Sequence, residues 1–254
     1  MKKIIIKLLF AILLVTVVVG CYINKSVVIP LKSFHYNSGD VQSPILIVLL
    51  PGIYDSPSKF QENNFISEAH SKSLAADFVA VDSHIGYFET HTIVERLRTD
   101  IILPARKAGY QKIWLVGISL GGFAALLYTT RHADEIDGIV LLSPYLGSDQ
   151  LINEVKQPGS LGVEGKTSKQ LYEQRVWKWV EENSSKYSEK PVIYLGYGKQ
   201  DKFKDAHLLF AEALAPEYVF SISGKHNWKT WRALWQLVLK NNIFTSVNTE
   251  MRKK

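Results

Sequence analysis

One stretch of this chain constrains its fold more than any other. Ile113-Trp114-Leu115-Val116 is a continuous apolar run of strand type, and it leads directly into Gly117-Ile118-Ser119-Leu120-Gly121. A helical pattern begins at once and runs from Leu120 to His132. Strand, Gly-x-Ser-x-Gly and helix in immediate succession describe a sharp turn that lifts a serine hydroxyl clear of a sheet. Gly117 and Gly121 carry no β-carbon, so the chain can close tightly on both sides of a strained Ser119. The helix N-terminus beneath the serine offers unpaired N–H groups and positive potential where an anion would form. Five positions with three fixed recur by chance; the placement between strand and helix is what gives the motif its specificity.

A nucleophilic serine needs a general base, and the base needs an orienting carboxylate. In a strand–turn–helix setting of this kind they follow in the order serine, acid, histidine, each after a later strand. Pro191-Val-Ile-Tyr-Leu-Gly-Tyr-Gly198 reads as a strand ending in a glycine turn, and Lys199-Gln200-Asp201 follows it. Glu217-Tyr-Val-Phe-Ser-Ile222 reads as another strand, ending in Ser223-Gly224-Lys225-His226-Asn227-Trp228. The assignment is Ser119 as nucleophile, His226 as general base and then acid, and Asp201 as its orienter. Asp205, four residues on and already in a helical pattern, is the rival acid, with Asp82 and Asp55 behind it.

At these positions the chain resembles the α/β-hydrolase superfamily, over roughly residues 44–245. The run Gly224-x-His226-x-Trp228-x-x-Trp231-Arg232 is similar to the carboxylesterase branch related to esterase D and to bacterial acetyl or feruloyl esterases. The resemblance implies a mostly parallel central sheet with helices on both faces, a small cap inserted after the sixth strand, and ester hydrolysis without a cofactor.

Acyl transfer also needs two N–H donors aimed at the developing oxyanion. Leu120, the residue after the nucleophile, supplies one. The other comes from the loop after an early strand. Ser43-Pro-Ile-Leu-Ile-Val-Leu-Leu50 is that strand, and Pro51-Gly52-Ile53-Tyr54 is the loop. Related hydrolases often carry His-Gly where this chain has Pro51-Gly52, which leaves the donor at Ile53 or at Tyr54; Ile53 is the assignment. Tyr54, Tyr145 and Trp228 are the candidates for lining the substrate pocket.

The chain opens with Met1-Lys2-Lys3, then an apolar run from Leu8 to Gly20, 13 residues long. That length falls in the range of about 7–15 for a secretory signal core, and short of the roughly 20 residues a spanning helix needs. The run ends Val18-Val19-Gly20-Cys21, and Cys21 is the only cysteine of the 254 residues. This looks like a bacterial lipobox, with cleavage after Gly20 and lipid on Cys21, placing the protein in the cell envelope and facing the periplasm or exterior. Membrane contact is then through the acylated Cys21. Residues 1–20 hold three lysines and no acid, so the formal charge of +6 falls to +3 in the mature chain. No basic stripe interleaved with stacking aromatics points to nucleic acid. The single cysteine excludes a disulfide framework within the chain and a cysteine-based zinc site. The histidines show no paired spacing with a nearby acid, so no metal is assigned.

The 234 residues after Gly20 suit one α/β domain. Residues 21–43 read as a lipidated tether with an edge element, a short strand at Val27-Val28-Ile29, and 44–254 as the hydrolase domain with its cap at 148–190. Ser56-Pro57 reads as an N-cap with proline at the first helical position, opening a helix to about His70. Asp77 to Asp82 is the next strand. Ile93 to Ala108 has helical spacing, and Pro104 should kink or break it near Leu103. Ile136 to Leu142 follows as a strand. In the cap, Gln157 to Gly165 reads as a loop and Ser168 to Glu182 as one helix. His84, just past a strand end, is a weaker candidate for substrate contact. Trp228, Trp231 and Trp235 fall near helical spacing, most often the mark of core.

Overall fold

Apolar residues dominate the central strands, and the sheet they form is buried on both faces. The structure is a computed structural model that describes residues 26–39, 43–157, 161–162, 166–183 and 191–246. The signal segment, Cys21, most of the 157–165 loop and the last residues lie outside the described residues. Strand β1 (Ser33–Tyr36) is followed by β2 (Ile45–Leu50), α1 (Ser58–Glu62), α2 (Phe65–Ser71) and β3 (Asp77–Val81). Then come α3 (Ile85–Glu89), α4 (Ile93–Leu97), a π-helical turn (Arg98–Ile102), α5 (Leu103–Lys107), β4 (Lys112–Ile118) and α6 (Leu120–His132). The second half holds β5 (Gly138–Leu142), α7 (Asp149–Val155), α8 (Ser168–Asn183), β6 (Val192–Gly198), α9 (Lys204–Ala211), β7 (Val219–Ile222), α10 (Trp228–Lys240) and α11 (Ile243–Ser246).

The strands lie in the order β1-β3-β2-β4-β5-β6-β7. All neighbours are parallel except β1, which runs antiparallel to β3. The carboxyl ends of β2, β4, β6 and β7 therefore share one edge, the edge where ligands bind in open α/β sheets. Successive side chains point to opposite faces. Ile113 and Leu115 of β4 enter the core under α4, α6 and α8. Trp114, Val116 and Ile118 enter the other, under α2, α10 and α11. The inner strands β2 to β6 are thus mostly apolar along their length because they must satisfy two cores at once.

Several sequence expectations need correction. The edge strand is Ser33–Tyr36, not Val27–Ile29. Val28 is instead held by the Tyr87 hydroxyl, which accepts its N–H at 3.2 Å and donates to its carbonyl at 2.9 Å. The expected helix from Ser56 to His70 is two helices. Pro57 takes the N-cap position, and the chain breaks at Asn64, which adopts φ 63°. Asparagine tolerates that left-handed geometry better than most residues. The helical stretch expected from Ile93 to Ala108 changes type at Pro104 and is divided into three segments. A π turn over Arg98–Ile102 widens the spiral just before that proline, so the missing proline N–H falls at the start of a new α segment. Among the described residues the cap segment, which here lies between β5 and β6, holds two helices: Asp149–Val155, capped by the Ser148 hydroxyl accepting the Leu151 N–H at 3.4 Å, was not expected.

The turn at the heart of the sheet is fixed by close approach. A β-carbon on Gly121 would lie 2.0 Å from the Leu50 carbonyl oxygen, and one on Gly117 would lie 2.3 Å from the carbonyl of Gly121. Both obstacles are backbone, so neither can swing away. Gly121→Ala is therefore expected to lower unfolding free energy by at least about 3 kcal/mol, the range of severe overpacking. Gly39, with open space around it, is the control. Urea titration of both alanine variants checks this, and a Gly121→Ala protein as stable as Gly39→Ala would refute it.

Candidate active site

Ser119 occupies the turn between β4 and α6 with φ 51° and ψ −114°. A serine rarely adopts positive φ, and such strain persists only where its surroundings enforce it. They do so through backbone bonds. The Ser119 N–H donates to Leu142 at 3.2 Å, and its carbonyl accepts from Gly122, Phe123 and Tyr145 at 3.0, 3.2 and 2.9 Å. The side chain is left at the carboxyl edge of the sheet, on the wall of a cavity of about 600 Å³.

His226 follows β7, and its ring bridges the other two members of the expected set. Nε2 lies 3.0 Å from Ser119 Oγ. Nδ1 lies 3.0 and 2.9 Å from the two oxygens of Asp201. An ionised carboxylate only accepts, so Nδ1 carries the proton and Nε2 is free to accept the serine O–H. Phe203 and Trp231 meet the imidazole edge-on, with centroids 5.1 and 5.0 Å away, and fix its plane.

Asp201 is completely buried in its side chain. Burial pushes its carboxyl up, but the bonds from His226 and from the Phe203 N–H at 2.9 Å outweigh it and hold the group below the usual carboxylate range. Asp201 thus stays ionised where a histidine base is neutral. Asp205 is exposed in the first turn of α9, away from the imidazole's partners. Of the other rivals, Asp82 follows β3, where its N–H bonds the Lys32 carbonyl at 2.8 Å. Asp55 lies in the loop after β2.

Gln200 is a residue that sequence reasoning missed. Its side-chain oxygen accepts from the Gly224 N–H at 2.7 Å and the Ser223 hydroxyl at 3.1 Å, while its own N–H donates to the Gly224 carbonyl at 2.9 Å. These bonds clamp the acid loop to the histidine loop. The signal in the sequence was a glycine in each loop: a β-carbon on Gly198 would lie 2.3 Å from the Gly224 carbonyl.

Ile53 and Leu120 both line the cavity beside Ser119. Leu120 is the first residue of α6, so its N–H precedes the intrahelical ladder. Gly52 brings the β2 loop against the nucleophile: a β-carbon there would be 3.7 Å from Ser119 Cβ. Tyr54 and Tyr145 also line the cavity, with Phe88, Phe123 and Phe203 adding apolar wall. The Tyr145 hydroxyl donates to Glu173 of the cap at 2.9 Å, and Glu173 also accepts the Ser148 N–H at 3.2 Å, which ties α8 to the strand end. Burial, then the Glu173 charge, pushes the Tyr145 phenol well above its ordinary range.

Trp228 is not among the residues lining this cavity. Its indole N–H donates to Asp55 at 3.1 Å, and its ring packs edge-on against Phe60, Phe65 and Trp231. Nothing local in the sequence signals that link between the histidine loop and the β2 loop. His84 caps α3, its Nδ1 accepting from the Gly86 N–H at 3.3 Å, and stands outside the cavity wall. Trp231 and Trp235 are buried, as their helical spacing indicated. Among the described residues no group of three or more His, Cys, Asp or Glu could hold a metal ion.

A parallel sheet with a strained serine at the strand-to-helix turn, and an acid and a histidine after the last two strands, defines the architecture of an α/β hydrolase. The family model described as the alpha/beta hydrolase fold matches residues 45–178, and the chain belongs to that family. Solved structures agree in fold. An S-formylglutathione hydrolase from Staphylococcus aureus superposes with a TM-score of 0.56 at 13% identity, over 86% of this chain and 98% of that one. Est1E from Butyrivibrio proteoclasticus, with ferulic acid bound, gives 0.59 at 15%, over 86% and 96%. A monoacylglycerol lipase of Paleococcus ferrophilus gives 0.52 at 16%, over 83% and 98%. No curated protein matches the chain in sequence.

One buried group beside the site is expected to contribute to acid sensitivity. His207 is fully buried behind Phe203, its Nε2 donating to the Pro144 carbonyl at 2.8 Å. Burial pulls its pKa down to about 4, against partial opposition from the Pro144 bond and Asp201. The unfolded chain, with an ordinary histidine near 6.5, binds the proton first as pH falls. Stability from this group is full above about 6.5 and is lost between there and about 4, by roughly 3 kcal/mol. His207→Gln keeps a donor for Pro144 without a titrating ring. Its urea midpoint between pH 7 and 4.5 should fall less than that of the native chain; parallel declines would refute the role.

Proposed function

We propose that this protein is a cofactor-independent serine hydrolase that cleaves carboxylic esters of small or medium acyl groups. The observation that carries the reading is the unbroken contact from Ser119 Oγ through both ring nitrogens of His226 to Asp201, opening onto an apolar cavity. Ser119 attacks the acyl carbonyl as His226 Nε2 takes its proton. The N–H groups of Leu120 and Ile53 receive the oxyanion, His226 returns the proton to the leaving alcohol, and the acyl-enzyme forms. Water, activated by the same imidazole, then releases the acid. An esterase and a monoacylglycerol lipase among the structural neighbours accord with this reading. The lipobox-like Val18-Val19-Gly20-Cys21 supports a seat on an envelope membrane through lipid on Cys21.

Hydrolysis of 4-nitrophenyl butyrate tests the assignment. Ser119→Ala and His226→Ala should each lower kcat/KM by at least about 10³-fold. Asp201→Ala should fall nearly as far, whereas Asp205→Ala should stay within about twofold, as an exposed helical charge does. Near-full activity of Asp201→Ala with loss in Asp205→Ala would reverse the choice of acid. An acyl-chain series from acetyl to palmitoyl should peak below the long chains.

A further inference from the structure

The amino-terminal segment enters the fold at the catalytic edge of the sheet. Because β1 runs antiparallel to β3, its first residue, Ser33, pairs with Val81 at the carboxyl end of β3. The Asp82 N–H, just past that end, bonds the Lys32 carbonyl at 2.8 Å. Lys32 therefore sits at the edge that carries Ser119, and the described residues before it, 26–31, lead in from there. From β1 across β3 and β2 to β4 is three strand spacings, about 15 Å. The approach is pinned: the Leu31 N–H donates to Asp100 at 2.8 Å, and the Tyr87 hydroxyl holds both backbone groups of Val28. Tyr87 belongs to α3, whose Ile85, Phe88 and Glu89 line the cavity.

Apolar side chains stand exposed at this end. Val28 is 55% and Ile29 68% exposed, and Tyr54, on the cavity wall, is 67% exposed. Phe34 is exposed too, with the Lys32 ammonium 5.4 Å from its ring. Apolar groups beside a lysine are the chemistry of a bilayer interface. Cys21 lies seven residues before Val28, a reach of at most about 25 Å.

Resting on the lipid-anchored hydrolase reading above, we propose that Val28, Ile29, Lys32 and Phe34 seat the protein on the bilayer with its cavity mouth at the lipid surface, and that its substrate is an ester carried by a membrane-resident amphiphile. The opposite edge, where Gln111 precedes β4, stands about 20 Å farther away along the strands. Substrate then reaches Ser119 from the membrane through the side marked by Tyr54.

The test uses the full acylated chain in phosphatidylcholine–phosphatidylglycerol vesicles. An acylated Cys21 leaves no free thiol, so Tyr54→Cys and Gln111→Cys can each carry a single environment-sensitive fluorophore. Quenching by doxyl-labelled lipid should be at least about threefold stronger at the Tyr54→Cys site, as for a probe held at the interface. Val28→Asp/Ile29→Asp should hydrolyse 4-nitrophenyl butyrate at the native rate, which also reports correct folding. It should lose at least about fivefold on 4-methylumbelliferyl octanoate, a medium-chain ester, embedded in the vesicles, because the apolar seat is gone. Equal quenching at both sites, or an unchanged rate on the embedded ester, overturns the orientation and leaves the hydrolase reading intact. A dimer abolished by the double aspartate substitution, with equal quenching, assigns the patch to a second copy instead. Thiol labelling of Cys21 in the parent chain overturns the anchor and the proposal with it, whereas loss of butyrate hydrolysis in Ser119→Ala is the separate measure of the chemistry.

Discussion

Everything at the catalytic edge depends on how closely α6 approaches the backbone of β2. The Leu50 carbonyl occupies the space where a side chain on residue 121 would sit, and the Gly121 carbonyl occupies the space beside residue 117. With both positions reduced to glycine, the turn between them can tighten until Ser119 takes a positive φ. That strain has a use. It sets Ser119 on the cavity wall at the sheet edge, with Leu120 beside it at the start of the helix. The same approach sets the β2 loop, with Gly52 and Ile53, against the nucleophile. Packing, strain and the placing of Ile53 and Leu120 beside Ser119 are thus one feature of the backbone.

The charge arrangement rests on a second close approach, between the loops after β6 and β7. Gly198 lies against Gly224, and Gln200 bonds across the gap. This keeps Asp201 within hydrogen-bond distance of His226 while burying it completely. A buried carboxylate is costly unless its bonds are satisfied. Here the imidazole and the Phe203 amide satisfy it, and so Asp201 remains an anion that holds the imidazole in one tautomer. Trp228 adds a further brace by bonding Asp55, which connects the histidine loop to the loop that carries Ile53.

Much of this was legible in the sequence because the relevant signals are local. The apolar strands, the glycine-flanked serine and the placement of Asp201 and His226 after strands could each be read within a short window, and the fold brings those three residues into contact. Longer-range signals were not legible. Val27–Ile29 has strand composition, but a tyrosine 59 residues away in sequence takes its backbone groups. Pro104 reads as a helix breaker, and only a change of helical pitch upstream accommodates it. Trp228 reads as pocket wall, yet its partner is Asp55, 173 positions earlier. The helix Asp149–Val155 was overlooked because it is only seven residues long, although Ser148 marks its start and Leu151, Ile152 and Val155 fall on one face.

The central claim is that the backbone turn and the histidine together activate Ser119, and covalent capture tests this most directly. The full chain would be treated with a fluorophosphonate and examined by intact mass and peptide mapping, beside His226→Ala. The account predicts one adduct per chain, on Ser119, forming rapidly in the native protein and far more slowly in the variant. A folded native chain that acquires no adduct, or that acquires it equally fast without His226, would contradict it.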